Sequence, residues 1–415
     1  MARGRKPGLL ERVRRASEAR GLLDAPLAVA VSGGVDSMVL MHLLAALELT
    51  PTVISLDHGI RSESADEVRF VGAAAAALGL PFVAGALEVG AGPDLAARAR
   101  TARYAFFERW LETRPGASVA LAHHRDDQAE TVLDRLIRGS GAGGLAGMRW
   151  RRGPYVRPLL DEPRAALESW ATARGVRWVE DPSNSKGTRG LLRREVLPLL
   201  EVARPGAGAG IARASASLAE DEALLRELAA PLLAADGVDL PRWAGAPAPL
   251  RRRAVLALAA ATRGDAAPPT AAQIDAALAL TTAGRAVVLA GGWRLVAGER
   301  RLRCLPPPPA PAVVSDGPWG IWCLTASAPV QVRPPRPGER LGEARLSERL
   351  RAAGVPAALR AYHPVVERDG RIWVPGVWRV GTGHIGDRPP AGVKVVASRT
   401  ASASWAGGGP YAQAL

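Results

Sequence analysis

The chain has 415 residues, too many for one ordinary hydrophobic core, so we expect two or three domains. Hydrophobic residues make up 48% of it, which excludes wholesale disorder, and its two cysteines form no CxxC pair that would indicate a disulfide scaffold or an iron–sulfur site. The net charge of +14 is carried almost entirely by arginine and favours a polyanionic partner such as RNA, although a GC-rich genome also favours Arg over Lys.

From residue 27 onwards, short apolar segments alternate with longer amphipathic ones. We predict strands at 27–31, 53–57, 81–89 and 118–122, and helices at 38–47, 63–78, 94–111 and 126–137. This alternation predicts an α/β domain whose parallel sheet carries helices on both faces. Ligands of such sheets bind at the carboxyl ends of the strands, so polar motifs at these ends form the candidate site.

Two more helices, at 162–174 and 189–200, complete this first domain. We expect it to be followed by a helix-rich middle domain, a Pro-rich linker, a small α+β C-terminal domain and a disordered tail. The bounds of these five segments are 1–204, 205–304, 305–313, 314–397 and 398–415. A Pro/Gly-rich break at 205–210 opens the middle domain, and strands at 287–304 close it.

The sharpest motif follows the first predicted strand, where an apolar segment leads into two glycines and then a helix. Its residues are Ser32, Gly33, Gly34, Val35, Asp36 and Ser37. Glycines let backbone N–H groups approach phosphate oxygens, and the positive end of the following helix favours an anion. Asp36 repels phosphate unless a divalent cation lies between them, so we expect it to be a Mg²⁺ ligand. The motif lacks the Lys of a Walker A loop and the GxGxxG of a dinucleotide fingerprint. A plain Gly-rich turn is the structural alternative.

This motif matches the SGGxDS signature of PP-loop ATPases, and further motifs follow it in order. They are Asp57-His58, an AR-x-x-RY segment at 99–104, a His-His-Arg-Asp-Asp-Gln segment at 123–128, glycines at 139–147, Arg-Pro-Leu-Leu at 157–160 and a polar segment at 178–184. In this order and spacing they resemble the tRNA(Ile)-lysidine synthetase family over about residues 28–200. Segments near 332–340, 354–360 and 374–376 resemble the C-terminal domain of that family more loosely.

The resemblance implies a PP-loop fold, also called the N-type ATP pyrophosphatase fold, and an ATP-dependent carbon–nitrogen ligase. In this family AMP is transferred to the C2 oxygen of the wobble cytidine of an isoleucine tRNA with a CAU anticodon, and pyrophosphate leaves. The ε-amine of free L-lysine then attacks C2 and gives lysidine. The implied ligands are ATP, Mg²⁺, L-lysine and this tRNA, and the resemblance is compatible with a homodimer.

Site residues follow from position and from this resemblance. Asp126, Asp127 and Glu130 share one face of a predicted helix and suit the ammonium groups of lysine, or a metal; helix capping by Asp126 is the alternative. The other proposed catalytic residues are Asp36, Arg100 and Arg103. The proposed ATP-binding residues are Ser32 to Ser37 together with Asp57 and His58. His123 and Asn184 are predicted to bind substrate, and Arg138, Arg189 and Arg193 to bind tRNA. Arg189 and Arg193 also suit the rim of the active site, with a solvated basic helix as the alternative for this pair.

The chain departs from the family pattern at two positions. Ala96 stands where the family has an acidic residue, and Gly190 stands where it has Asn. These departures leave a non-catalytic RNA-binding paralogue as one alternative function. Another PP-loop tRNA-modifying enzyme, such as a thiolase, is the second, but neither cysteine lies in the first domain. The sequence predicts no signal peptide and no membrane span, so we expect a cytoplasmic protein.

Overall fold

In this computed structural model the chain forms two compact units, Met1–Glu222 and Ala223–Leu415. The structure describes residues 7–24, 26–59, 64–89, 95–180, 187–263, 268–282, 285–319, 322–341, 343–352, 355, 357–368, 371–376, 383–385 and 395–399. The boundary between the units lies within a single helix, Ala207–Ala229. That helix begins inside the predicted break at 205–210, so the prediction of a break there was wrong beyond residue 206. The finer five-segment division stays a prediction.

The first unit contains an α/β sheet with surrounding helices. Its strands are β1 (Leu27–Ala30), β2 (Thr52–Asp57), β3 (Phe82–Ala86), β4 (Ser118–Ala120), β5 (Arg151–Arg152) and β6 (Tyr155–Val156). Its helices are α1 (Leu9–Glu18), α2 (Val35–Ala46), α3 (Ser64–Ala77), α4 (Leu95–Glu112), α5 (Arg125–Ile137), α6 (Ala142–Leu145), α7 (Arg164–Ala173), α8 (Gly187–Leu191), α9 (Leu197–Ala203) and α10 (Ala207–Ala229). The predicted α/β order is confirmed.

The strands of this sheet lie in the order β3-β2-β1-β4-β6-β5, and all neighbours pair in parallel except β5 with β6. The chain runs outward from β1 through β2 to β3 and then crosses to β4 on the other side of β1. The direction of winding therefore reverses beside β1. A crevice at such a reversal is where open α/β sheets bind their ligands.

Helices pack on both faces of the sheet, as predicted. Side chains of β1 alternate between the two faces, because successive residues of a strand point in opposite directions. Val29 packs with Met38 and Leu40 of α2 on one face, whereas Ala28 packs with Ile54 and Phe107 on the other. The α2 helix is apolar almost all round and is buried along most of its length. It therefore holds the loop between β1 and α2 firmly against the sheet.

The second unit combines short helices with antiparallel sheets. Its strands are β7 (Leu233–Ala234), β8 (Gly237–Asp239), β9 (Ala286–Val288), β10 (Arg294–Ala297), β11 (Arg301–Leu305), β12 (Ala312–Trp319), β13 (Trp322–Arg333), β14 (Arg340–Leu341), β15 (Ala344–Arg345), β16 (Val365–Arg368), β17 (Arg371–Gly376), β18 (Gly383–Ile385) and β19 (Val395–Arg399). Its helices are α11 (Leu240–Gly245), α12 (Ala248–Arg263), α13 (Ala271–Leu278) and α14 (Leu346–Ala352).

Two main sheets organise this unit. The first has the strand order β7-β8-β11-β10-β9, and the second has the order β12-β13-β16-β17-β18, with β19 paired to β13. The strands predicted at 287–304 are confirmed. The β19 strand reaches Arg399, so the predicted tail begins two residues too early, and residues 400–415 lie outside the described part of the chain. Within the described residues, no helix is long and apolar enough to cross a membrane.

Candidate active site

The predicted phosphate loop connects β1 to α2 at the centre of the sheet. Gly33 has a φ of 87°, a left-handed conformation that favours glycine, and its carbonyl accepts a hydrogen bond from the Val179 N–H at 2.9 Å. The Ser37 hydroxyl donates to the Gly34 carbonyl at 2.9 Å and accepts from the Ser32 N–H at 3.2 Å. Ser37 therefore stabilises the loop itself. The first N–H groups of α2 remain available to an anion.

The end of β2 lies on one side of this loop. The Asp57 carboxylate accepts hydrogen bonds from the Gly59 N–H at 2.8 Å and from the Ser64 hydroxyl at the start of α3. These bonds, from Ser64 first and then Gly59, lower the pKa of Asp57. The next residue, His58, accepts a hydrogen bond at Nε2 from Arg103 of α4 at 3.3 Å. The structure thus brings Asp57, His58 and Arg103 together at one sheet edge.

The end of β4 lies on the other side of the loop and carries two histidines. His124 is buried and forms the N-cap of α5, where its Nδ1 accepts from the N–H groups of Asp126 at 3.2 Å and Asp127 at 3.3 Å. The Asp127 carboxylate accepts in return from the His124 N–H at 3.0 Å, which completes a capping box. Nε2 of His124 lies 3.4 Å from Oδ2 of Asp127 and 3.6 Å from Oδ2 of Asp36.

Charge around His124 sets the protonation of its neighbours. Burial alone would raise the pKa of Asp36, but His124, Arg164 and Arg193 outweigh that effect and lower it. Burial alone would lower the pKa of His124, but the carboxylates of Asp36, Asp127 and Asp126 outweigh it and raise that pKa. Asp36 is therefore an ionised carboxylate at neutral pH.

The predicted acidic cluster contains its own cation. Arg193 donates from Nε to Oε1 of Glu130 at 2.6 Å and from Nη2 to Oε2 of Glu130 at 3.1 Å, and the same Nη2 reaches Oδ1 of Asp127 at 3.0 Å. Glu130 is buried, and burial raises its pKa despite this pairing. Arg193 lies in a π-helical turn, Leu192–Val196, between α8 and α9. Such turns place extra residues in a helix and are frequent at functional sites.

Asp126 faces a different helix from its two acidic neighbours. Its Oδ2 accepts from the Arg164 N–H at 3.0 Å, so it caps the start of α7 and not the start of its own helix. It lines a cavity of about 470 Å³ in the first unit together with Glu130, Arg164, Arg193 and Glu201. The cavity thus combines carboxylates with guanidinium groups beside the acidic cluster.

Two arginines, Arg100 and Arg157, lie near His123. The Arg100 guanidinium lies 4.9 Å from the centre of the Tyr104 ring and donates to its hydroxyl at 3.3 Å. Arg157 is buried and donates to the Arg149 carbonyl at 2.8 Å. Burial, followed by the positive charges of Arg157 and Arg100, lowers the pKa of His123 to about 4 despite the nearby Asp127. His123 is therefore neutral at physiological pH.

Comparison with known proteins places the phosphate loop and its neighbouring charged residues in a known family. The PP-loop domain family matches residues 12–200. A tRNA(Ile)-lysidine synthase of Pseudomonas aeruginosa is 36% identical over 396 residues, which cover 83% of this chain and 88% of that protein. Another, of Geobacter sulfurreducens, is 34% identical over 436 residues and covers 88% of this chain and 92% of that protein.

The chain belongs to the tRNA(Ile)-lysidine synthase family. With a third member, from Alkalilimnicola ehrlichii, the identity reaches 44% over 213 residues, but these cover only 48% of this chain and 47% of that protein. Family membership confirms the predicted PP-loop fold and the predicted class of enzyme, a ligase. The PP-loop domain implies that the chain binds ATP.

The remaining predicted site residues are exposed or lie outside the described residues. Arg138 is exposed and pairs with Asp134 at 3.0 Å, and Arg189 is exposed on α8. Asn184 lies outside the described residues, as does the side chain of Ala96. Gly190 is buried in α8, just before the π-helical turn that contains Arg193.

Sequence reasoning missed two features of the site. It treated His124 only as one of a pair of histidines, although a His followed three residues later by Asp is compatible with a capping box. It also left open whether Arg193 contacts RNA or lies at the active-site rim, because the spacing of Arg189 and Arg193 indicated only a basic helix face, and it did not predict the pairing with Glu130. No local signal in the sequence reveals the π-helical turn that directs Arg193 toward Glu130.

Proposed function

We propose that this chain ligates L-lysine to C2 of the wobble cytidine of an isoleucine tRNA with a CAU anticodon, through an adenylated cytidine, with AMP and pyrophosphate as products. One observation carries the proposal. Asp36 of the phosphate loop and Asp127 of the acidic cluster meet on either side of one imidazole, that of His124. A nucleotide at the loop and a cationic substrate at the cluster would therefore be neighbours.

The phosphate loop supports binding of ATP together with Mg²⁺. Oδ1 of Asp36 is buried and has no hydrogen-bond partner, and the lowered pKa keeps the group ionised. An uncommitted carboxylate oxygen suits Mg²⁺, which takes few protein ligands and completes its shell with phosphate oxygens and water. The described residues hold no cluster of three or more His, Cys, Asp or Glu that would form an all-protein metal site. Mg²⁺ would neutralise charge on the leaving pyrophosphate.

Asp127 and Glu130 support binding of the lysine ammonium groups. Each carboxylate has about four lone-pair sites, so the bonds to Arg193 leave acceptors for a second cation. The adjoining cavity of about 470 Å³ also exposes Arg164, a partner for the lysine carboxylate. Free lysine needs both signs of charge in one pocket, and this cavity provides them. Asp126 lines the same cavity and adds negative charge there.

The basic groups at the sheet edge support stabilisation of the adenylylation step. Arg103 lies beside His58, and Arg100 lies beside Tyr104, so both cations are held near the strand ends where charge develops on phosphate. His123 is neutral and can accept a hydrogen bond from the substrate. With a pKa of about 4 it is too weak a base to deprotonate an ammonium group, so we assign it to binding.

The exposed arginines support contact with the tRNA backbone. Arg138 caps the C-terminal end of α5 and Arg189 lies on the neighbouring helix α8, both in the unit that holds the phosphate loop. The second unit, at 223–415, is proposed to contribute the remaining RNA contacts through the predicted middle and C-terminal domains. A cytoplasmic location and a homodimer remain part of this proposal.

The alternatives make different demands on the chain. A tRNA thiolase needs cysteines near the nucleotide, whereas both cysteines lie in the second unit, at Cys304 and Cys323. A non-catalytic RNA-binding paralogue needs no ionised Asp36 and no buried Glu130, yet the chain keeps both. The proposed lysidine formation uses both Asp36 and Glu130 and is therefore favoured.

The deciding experiment is incorporation of labelled lysine into an isoleucine tRNA with a CAU anticodon, in the presence of ATP and Mg²⁺. We expect ATP-dependent labelling by the wild type and none by Asp36→Ala. A methionine tRNA with the same anticodon serves as the substrate control. Lack of labelling by a wild-type protein that still binds ATP would contradict the proposed substrate and favour another PP-loop reaction.

A further inference from the structure

His124 connects the two halves of the candidate site. It is 1% exposed, and it lies between the phosphate loop, which carries Asp36, and the first turn of α5, which carries Asp127. β1 and β4 pair directly, and the segments that follow their carboxyl ends carry Asp36 and Asp127 to this ring. A buried polar ring that contacts both segments therefore connects them.

The hydrogen bonds of α5 determine the tautomer of this ring. Nδ1 accepts two backbone N–H groups, those of Asp126 and Asp127, so it carries no proton. The neutral ring must then carry its proton on Nε2. Because the cap consumes the acceptor nitrogen, the donor nitrogen is the only one that can act on the phosphate loop.

The donor nitrogen lies between two carboxylates. Nε2 is 3.4 Å from Oδ2 of Asp127 and 3.6 Å from Oδ2 of Asp36, which is longer than an optimal hydrogen bond, so the attraction is mainly electrostatic. The contact engages one oxygen of Asp36 and leaves Oδ1, which has no hydrogen-bond partner. The orientation of Asp36 is thereby set by a residue outside its own loop.

We propose that His124 is a positioning residue that holds Asp36 in the orientation needed to bind the divalent cation of the nucleotide. The inference rests on the proposed function only in assigning Mg²⁺–ATP to the loop. A metal-binding carboxylate is oriented by the group that bonds its other oxygen, and loss of such a partner typically costs about 10–100-fold in metal affinity or activity. His124 would also keep the nucleotide and lysine halves of the site at a fixed distance.

Two substitutions separate the cap from the contact with Asp36. In His124→Asn the amide replaces Nδ1, so the N-cap remains and the donor to Asp36 is lost. In His124→Gln the amide replaces Nε2, so a donor to Asp36 remains and the N-cap is lost. His124→Ser, which also keeps a good N-cap and lacks the donor, replaces the Asn variant if that variant does not fold.

The primary measurement is Mg²⁺ binding in the presence of α,β-methylene ATP, by calorimetry. We expect His124→Asn to weaken apparent Mg²⁺ affinity by about 10–100-fold. His124→Gln should remain close to wild type in this assay but melt about 2–4 °C lower, because it loses the cap. In a double-mutant cycle with Asp36→Asn, the His124→Asn effect on Mg²⁺ affinity should largely disappear.

Two results would overturn the inference. One is wild-type Mg²⁺ affinity in His124→Asn together with a loss in His124→Gln, which would make His124 a helix cap and nothing more. The other is full additivity with Asp36→Asn, which would show that His124 does not act through that carboxylate. Because Mg²⁺ binding with the analogue needs neither tRNA nor lysine, these results are distinct from a failure of lysine labelling in the wild-type protein.

Discussion

At the scale of single residues, Arg193 shows how a side chain's partner can differ from the one its type indicates. An Arg on a basic helix favours an RNA phosphate, but here both ends of the guanidinium bind carboxylates of the same unit. The Glu130 side chain is 4% exposed and Arg193 is 32% exposed, so the pair is partly screened by water. The pairing with Arg193 opposes, without cancelling, the rise in the pKa of Glu130 that burial causes.

We predict that Arg193→Lys affects lysine use more than tRNA binding. Lysine cannot reproduce the forked bonds to Glu130, so the carboxylates lose their fixed geometry. The KM for lysine should change by about tenfold, the size of one lost charge-assisted bond. The Kd for tRNA, measured by filter binding at two salt concentrations, should stay within experimental error.

The neighbouring Arg194 provides the matched control, because it lies in the same π-helical turn and is exposed. Arg194→Lys should leave the KM for lysine unchanged. If Arg193→Lys instead weakened tRNA binding and reduced its salt dependence while the KM for lysine stayed constant, Arg193 would be a phosphate contact after all.

At the scale of elements, α5 is held in place by the side chain of Gln128, which bonds to two other segments of the first unit. The Gln128 amide accepts from the Met148 N–H at 2.6 Å, and its nitrogen donates to the Met148 carbonyl at 2.9 Å and lies 3.3 Å from the Ser215 hydroxyl of α10. Gly147 completes this junction with a φ of 67°. The bonds connect α5, the segment after α6 and α10.

We predict that Gly147→Ala destabilises the first unit by roughly 2–4 kcal/mol, through left-handed backbone strain plus overpacking. A Cβ at Gly147 would lie 2.5 Å from the Ser215 hydroxyl oxygen and 2.7 Å from the Gln128 side chain. Gly153 is the control, since it has a φ of 54° but open space around its Cβ position, so Gly153→Ala should cost only the strain. Equal losses in urea denaturation would show that the junction relaxes freely.

The same scale shows what the sequence can and cannot predict. Alternating apolar segments correctly predicted β1, β2 and β4 and the helices that follow them, because burial on two faces leaves a strong periodic signal. The Pro/Gly-rich composition of 205–210 predicted a break over all six residues, but the helix α10 already begins at Ala207. The Glu201 carboxylate accepts from the N–H groups of Gly206 and Gly208 at 2.7 and 2.8 Å, and the helix then starts among glycines. The contact of His124 with Asp36 depends on tertiary packing and has no local signature.

At the scale of the whole molecule, burial holds His123 of the first unit and His363 of the second unit in the neutral form. Burial lowers the pKa of His123 in the first unit and of His363 in the second unit to about 4. In an unfolded chain a histidine titrates near pH 6.5. Between these values the unfolded state binds more protons than the folded state. His363 should therefore make the second unit less stable as the pH falls from about 6.5 towards 4, whereas in the first unit the raised pKa of His124 opposes the effect of His123.

His363 gives the cleaner test, because it lies outside the proposed active site and is completely buried. Its Nδ1 lies 3.3 Å from the Pro364 carbonyl, a contact that the amide of His363→Asn can reproduce. Each such histidine should reduce the free energy of unfolding by about 1.4 kcal/mol per pH unit within that window. Carboxylates with lowered pKa, such as Glu339, contribute only at lower pH, so they do not mask the effect above about pH 5.

We therefore predict that His363→Asn flattens the pH dependence of stability in the second unit between pH 6.5 and 5. The measurement is hydrogen exchange of β16 and β17 amides in urea, which reports on the second unit separately from the first. The first unit should keep its own pH dependence in this variant, because His123 is unchanged. If β16 and β17 lost stability equally fast with falling pH in wild type and variant, His363 would not be the group that takes up the proton on unfolding.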